Sequence, residues 1–325
     1  MNIQHRASPR PQTAVVEEGN AGRICPHDYT YAPTVFARAS DFSAETLYVV
    51  GGLYGNHAAL VTIQNMAAAE RAQILFNGDF HWFDAAPDWF AAIEQGVASH
   101  RAVRGNVETE LARESDIGAG CGCAYPETVS GDVVRRSNDI LSELAVAVPA
   151  TARARLRALP MHLVAQVGGL RVGIVHGDAG ALAGWRFARN ALDESSNRAW
   201  LNDVRAQSRI DLFASTHTCL AALRDFAVPA GRLTVINNGA AGMPNFLGAR
   251  FGIITRIGVT PSPHAPLYGL LRDGVYIDAL AVPYDQDDFL ARFLRRWPPG
   301  SPAHTAYFKR IAEGPDYRIA RARMP

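Results

Sequence analysis

Four side chains in this sequence have the types and settings for metal chemistry: Asp79 in "FNGD", Asn106 in "RGN", His176 in "VHGD" and His217 in "STHT". Each follows a short apolar run, so each is expected to emerge where a buried strand ends. One carboxylate, one amide oxygen and two imidazoles at a common rim make a donor set for a borderline divalent cation. Taken singly, an Asp or Asn after a strand commonly closes a turn or caps a helix. A lone His beside an apolar run is more often a hydrogen-bonded core residue. The recurrence of four such residues in the same setting is what points to a cation.

The elements that would position them follow from the spacing of apolar residues. The runs "LYVVGG", "QILFNGD", "AVRGN", "LRVGIVHGD", "IDLFAST" and "LTVINNG" are short, rich in β-branched residues and end in Gly or Asn, which predicts buried strands. Helical patterns lie between them at 57–71, 87–100, 137–148 and 196–207, the second opening on Pro87, where a missing N–H costs nothing. Alternating strands and helices predict an α/β fold. From residue 163 onward a hairpin at Gly168-Gly169 is expected, and "ARFGIITRIGV" with "GVYIDALAV" suggests another, which leaves a mixed sheet or a two-sheet sandwich with helices outside. Residues 1–30 read as a flexible arm, 31–285 as the catalytic body, and 286–325 as a C-terminal helix and a Pro- and Gly-punctuated wrapping tail.

Composition narrows the function classes. With 32 basic and 31 acidic residues there is no bulk field to attract nucleic acid or anionic lipid. Nearly all the bases are Arg, with Lys309 the one lysine, which together with abundant Ala suggests a GC-rich bacterial genome. No run approaches the roughly 20 apolar residues of a membrane span, and the N-terminus lacks an apolar signal core, so a cytoplasmic protein is expected. Four cysteines, Cys25, Cys121, Cys123 and Cys219, are too few and scattered for a disulfide scaffold.

The ordered series resembles the calcineurin-like metallophosphoesterases, whose motifs run Asp-x-His, Gly-Asp-x-x-Asp, Gly-Asn-His-Asp/Glu, a lone His, and Gly-His-x-His. The likeness extends from about residue 47 to 242. It implies a two-sheet mixed β sandwich flanked by helices, in four α/β/β/α layers, and a metal-dependent phosphoester hydrolase, phosphodiesterase or phosphatase, that uses a metal-activated water. Asp79, Asn106, His176 and His217 match the ligands of one metal of the family's pair. The private ligands of the other metal are all changed. Gly52-Leu53-Tyr54 stands for Asp-x-His, and Cys219 stands for the final His. The resemblance therefore implies one conventional site for Mn, Fe or Zn and a second site lost or rebuilt. The glycine-rich "GGLYGN" turn is then the shell of that second site.

A rebuilt site would draw on Cys219 and Tyr54, whose thiolate and phenolate suit Fe or Zn. Cys121, Cys123 and His81 are further candidates, with Asp178 and His57 weaker ones; the plain alternative for the cysteines is a buried thiol. The family's general acid is replaced by Val107, which leaves Glu108 as a candidate acid if burial raises its pKa, or else as a carboxylate of a helix first turn. For substrate contact the expectations are Arg104, the Gly55-Asn56 turn with the helix amides behind it, and Asn238 with Asn237. Arg135, Arg136 and Arg186 are looser choices. The substrate expected is a phosphorylated small molecule or nucleotide with a good leaving group. Two other readings stay open: a non-catalytic metal- or nucleotide-binding descendant, and a non-hydrolytic metalloenzyme with thiolate ligands.

Overall fold

The computed structural model describes residues 20–323. The expected N-terminal arm lies outside the described residues over its first nineteen positions. Residues 20–30 are tied down: Gly22 N–H donates to Ala119 O and the Tyr29 hydroxyl to Glu110 Oε1.

The chain opens with β1 (Phe42–Ala44) and β2 (Thr46–Val50), then α1 (His57–Glu70), β3 (Gln73–Phe76), α2 (Pro87–Ala98), β4 (Arg101–Ala102) and the short α3 (Asn106–Leu111). Helices α4 (Gly131–Val146) and α5 (Ala150–Ala158) lead to the hairpin of β5 (His162–Val167) and β6 (Leu170–Val175). Next come α6 (Arg189–Asp193), α7 (Arg198–Ser208), β7 (Leu212–Ser215), β8 (Ala222–Val228) and β9 (Gly231–Asn237). Strands β10 (Phe251–Gly258), β11 (Tyr268–Arg272) and β12 (Val275–Pro283) precede α8 (Gln286–Arg296) and α9 (Pro302–Glu313).

Two six-stranded sheets result, ordered β1-β5-β6-β7-β9-β8 and β11-β12-β10-β2-β3-β4. They face each other across a layer that includes Leu47, Val49, Leu75, Ile174, Ala214 and Ile253. Tyr48, Val50 and Phe76 point the other way, onto α1 and α2, while Phe213 and Val235 on the outer face of the first sheet meet α7. Successive side chains on a strand face opposite sides, so a strand covered on both faces must be apolar throughout. All five residues of β2 are buried. The architecture is the expected two-sheet mixed sandwich with helices outside.

Several expectations need adjusting. The pair 249–259 and 274–282 does align antiparallel as β10 and β12, but β11 intervenes in the chain, and the tight hairpin is β11–β12. Strands β1, β8 and β11 and helix α5 carry no periodic signal strong enough to be anticipated. Helix α4 starts six residues before the expected 137, at a Ser130 cap whose side chain accepts from Val133 N–H. The stretch after residue 286 carries two helices rather than one. Trp297 Nε1 donates to Phe83 O at 2.8 Å, which ties the end of α8 to the body, and Gln286 Nε2 to Ile311 O at 2.6 Å, which ties α8 to α9. No helix among the described residues is long and apolar enough to cross a membrane.

What positions the site is parallel pairing. Strands β2, β3 and β4 run parallel in one sheet, with Val50 opposite Phe76 and Phe76 opposite Ala102. Strands β6 and β7 run parallel in the other, with Ile174 opposite Ala214. All five carboxyl ends therefore reach the same rim, where open α/β sheets hold their ligands.

Candidate metal centre and its cavity

At that rim Asp79, His176 and His217 each offer a ligand atom, and these atoms lie within 4.8 Å of one another. His176 Nε2 is 3.4 Å from Asp79 Oδ1, 3.0 Å from Asn106 Oδ1 and 3.1 Å from His217 Nδ1. The outer atoms show which inner atoms carry lone pairs. His176 Nδ1 faces the Asn77 carbonyl at 2.9 Å and His217 Nε2 the Cys123 carbonyl at 3.0 Å, so each of these nitrogens carries the proton it donates. Asn106 Nδ2 donates to Cys121 O at 2.8 Å, which fixes its oxygen inward. Four acceptors thus converge with no donor among them when the imidazoles are neutral. Lone pairs at 3.0–3.4 Å repel unless a cation stands between them, so the donor set fits a divalent ion. Burial lowers the His176 pKa, but the Asp79 charge and the Asn77 carbonyl outweigh it and the net shift is upward. Burial and then the neighbouring His176 push His217 down to about 3, so the pair resists taking two protons.

The backbone makes this approach feasible. Gly78, at φ +98°, admits no side chain: a Cβ there would lie 2.5 Å from His176 Nδ1 and 2.7 Å from Gly105 Cα. Asp79 itself sits at φ +54°, and Tyr54 and Cys219, both at the same cavity, sit at +52° and +57°. Left-handed backbone at residues other than Gly clusters where geometry is over-determined by its surroundings, commonly at functional sites.

Tyr54 and Cys219 meet: the hydroxyl and the sulfur are 2.6 Å apart. The Tyr54 ring lies over Gly52, whose Cβ, were there one, would be 2.7 Å from Cε2. The ring therefore fills the volume a side chain at position 52 would need. Burial, followed by the neighbouring thiol, pushes the Tyr54 phenol well above its ordinary value, and burial raises the Cys219 thiol. Both stay protonated at neutral pH and satisfy each other, a poor start for two anionic ligands. Cys219→Ala is accordingly expected to leave the cation content of the purified protein unchanged, while stability falls by about 1–2 kcal/mol as the buried hydroxyl loses its partner. Elemental analysis with a urea melt checks this; a second equivalent of metal that vanishes in the variant would show that Cys219 ligates.

Other expected site residues are placed elsewhere or do something different. His81 does not face the cation site. Its ring stacks on Phe90, and its two nitrogens meet Asp84 Oδ2 at 2.6 Å and Glu94 Oε2 at 3.1 Å, which leaves no lone pair for a metal. Cys121 and Cys123 are bonded to each other across Gly122, which removes both thiolates, although their carbonyls orient Asn106 and His217. Glu108 is not placed to protonate a leaving group. It is fully buried and accepts backbone N–H groups from Asp79 and Gly105 at 2.8 Å each, from Phe80 at 3.1 Å and from His81 at 3.4 Å. Its bond to Gly105 N–H is one half of a helix capping box; Gly105 has no side chain to supply the other.

Arg104 points away, donating to Arg157 O at 3.0 Å on the outer surface. Asn56 caps α1 by accepting from Ala59 N–H, and its amide donates to Gly242 O, so that helix start is closed to an anion. Gly55 packs against Asp84, and its carbonyl accepts from Trp89 Nε1. Asn238 donates to Val49 O between the sheets, while Asn237 holds the Thr218 hydroxyl. Asp178 accepts from Gly180, Ala181 and Arg186 N–H. His57 is exposed at the start of α1, Arg135 pairs with Asp132, and Arg186 lies over the Trp200 ring.

The His81 cluster makes a pH prediction. Burial lowers the His81 pKa, but Asp84 and then Glu94 overcome it and raise it to about 9. Burial raises Glu94, but Arg155 and His81 take it down to about 2. A histidine held above its ordinary 6.5 contributes stability that is complete below pH 6.5 and is lost as pH rises through 9. The gap in unfolding free energy between the wild type and His81→Gln, on the order of 2–3 kcal/mol near pH 6, should therefore narrow toward pH 10. A gap independent of pH would show that the ring is neutral.

Asp79, Asn106 and His217, three of the four candidate ligands, border a cavity of about 230 Å³ whose other walls include Trp82, Tyr125, Trp185, Tyr307 and Arg310. None of these five was anticipated. Tyr307 and Arg310 come from α9, ninety or more residues beyond His217, and nothing local marks them.

No protein-family profile and no curated protein matches the chain. Solved structures do. A hypothetical protein from Pyrococcus horikoshii aligns at 16% identity over 84% of this chain and 99% of its own, with a TM-score of 0.55. A metallophosphoesterase from Sphaerobacter thermophilus aligns at 16% identity over 83% of this chain and 100% of its own, with a TM-score of 0.52. With the two-sheet architecture and the order of its rim residues, these alignments identify the fold as that of the calcineurin-like metallophosphoesterases.

Proposed function

We propose that this protein is a metal-dependent phosphoester hydrolase that works with one conventional cation site. The observation that carries this reading is the convergence of Asp79, Asn106, His176 and His217, four acceptors without a donor, at the rim of a metallophosphoesterase fold. A divalent cation there would supply Lewis acidity toward phosphoryl oxygen and a way to deprotonate water near neutral pH. Asp79 contributes the one anionic ligand, and the carbonyls of Asn77 and Cys123 hold the two rings in the required tautomers.

The protein side of the chemistry sets the substrate class. Val107 lines the cavity where the family supplies an imidazole, and Glu108 is engaged with backbone amides, so neither delivers a proton to a departing oxygen. Esters whose leaving group departs as a stable anion are favoured: aryl phosphates, aryl diesters and pyrophosphate-linked nucleotides. The aromatic walls suit a planar leaving group, since ring stacking and edge contacts reward flat ligands. Trp185 stands 5.3 Å from the His217 ring and 5.9 Å from that of Tyr125, centroid to centroid.

Protein reconstituted with Mn or Zn should cleave bis(p-nitrophenyl) phosphate or p-nitrophenyl phosphate and turn over glycerol phosphate at least 100-fold more slowly, the difference a missing general acid makes. A second reading, a binding protein descended from hydrolases, is favoured by the Tyr54–Cys219 contact and by Val107. Full metal occupancy with no turnover of any ester would establish that reading and reject hydrolysis.

A further inference from the structure

We infer that Arg310 is an anion seat of the cavity, where its guanidinium takes the place of the missing second cation in holding a phosphoryl group. The inference deepens the hydrolase reading and rests on the same cavity. By resemblance, positions 52, 54 and 219 would hold a second positive charge, and here the Tyr54 ring and the Cys219 sulfur fill that space. A phosphoryl group bound to one divalent cation would keep uncompensated negative charge on the side facing Cys219. Arg310 stands there: its Nη2 donates to Cys219 O at 2.5 Å.

Three further observations separate Arg310 from the many arginines of this chain. It is the one Arg or Lys among the described residues lining the cavity, which it shares with Asp79, Asn106 and His217. Among the described residues no carboxylate pairs with it, whereas buried Arg224 and Arg256 are matched by Asp193 and Glu70. Its buried Nε–H has no hydrogen-bond partner. A guanidinium has five donors in a planar fork, so one bond to Cys219 O leaves the fork able to grip phosphoryl oxygens.

A second orphan donor lines the same cavity. Trp82 is 3% exposed, and its indole N–H also lacks a partner. Buried donors are rarely left unsatisfied, and two at one cavity beside a cation site call for an anionic or strongly accepting ligand. Trp82 and Arg310 are linked through Tyr307, whose ring is 6.4 Å from Trp82 and one helical turn before Arg310 on α9. The ligand class is a tetrahedral oxyanion, phosphate or a phosphate ester, bridging the divalent cation and the guanidinium.

The test is a titration of Mn-loaded protein with inorganic phosphate, followed by calorimetry and tryptophan fluorescence. Arg310→Gln should raise the dissociation constant on the order of 10- to 100-fold without weakening Mn affinity. Arg310→Lys keeps the charge without the fork and should fall between the two. If the Gln variant melts early, the Lys variant carries the test with an expected loss of a few fold. Phosphate binding within twofold of wild type in the folded variant, or no phosphate binding by wild type, overturns the inference. No ester is present, so phosphate binding that depends on Arg310 in a protein that cleaves nothing keeps the seat and rejects hydrolysis.

Discussion

Asp79→Asn should abolish tight cation binding and lower phosphoester turnover by on the order of 10³-fold. The other three candidate ligands are neutral donors, so Asp79 is the one of the four that would compensate the charge of a divalent ion in this buried site. The amide keeps one acceptor oxygen at nearly the same place but loses the Coulombic term, which is large where water is excluded. A loss of about 4 kcal/mol corresponds to that factor at 1.36 kcal/mol per decade. The backbone makes the comparison clean, because Asn tolerates the left-handed conformation that Asp79 occupies at φ +54°. Compared metal-free, the two proteins should melt alike, while metal content and turnover of the variant collapse together and added metal no longer raises its melting temperature. Metal content equal to wild type would place the cation elsewhere and remove the basis for the functional reading.

Glu108→Ala should give the largest loss of stability, about 3–5 kcal/mol. One carboxylate, 0% exposed, gathers four backbone N–H groups that belong to two separate loops, the turn after β3 and the start of α3. Burial and then the Asp79 charge push its pKa up, and the amides of Gly105 and Asp79 pull against that rise. Removing the side chain leaves those amides buried and unpaired, each a desolvation cost of 1–3 kcal/mol before relaxation. A drop in melting temperature on the order of 5 °C or more is expected. Because the same carboxylate sets the Asp79 loop, cation affinity should fall even where the variant is folded. Glu108→Gln retains an acceptor oxygen and should recover part of both losses. A variant that melts like wild type but loses activity would instead make Glu108 an acid in the reaction.

These two residues show how unevenly the sequence reveals its site. Asp79 is legible because a carboxylate directly after a buried strand has few other places to go, and because three comparable residues follow comparable runs. Glu108 reads as a candidate acid, but the same position also suits a carboxylate of a helix first turn, and a sequence does not say which way a buried carboxylate turns. His81 illustrates the same limit: two residues after Asp79 on one short loop, it points instead to Asp84 and Glu94. Left-handed residues reverse the chain within a step or two, so neighbours in sequence there face different directions.

The sequence alone determined the parts whose signals are local. Strand runs, their terminal Gly and Asn, and the four candidate ligands are set by residue type and short spacing, and resemblance to a family marks positions 52, 54 and 219 as departures. Tertiary structure decided what depends on elements far apart in the chain. It paired Tyr54 with Cys219, turned Glu108 inward, and brought α9 to deliver Arg310 beside a site built some ninety residues earlier. The physical reason is that strand and helix periodicity act over a few residues, whereas the company a buried polar group keeps is chosen by how whole layers pack.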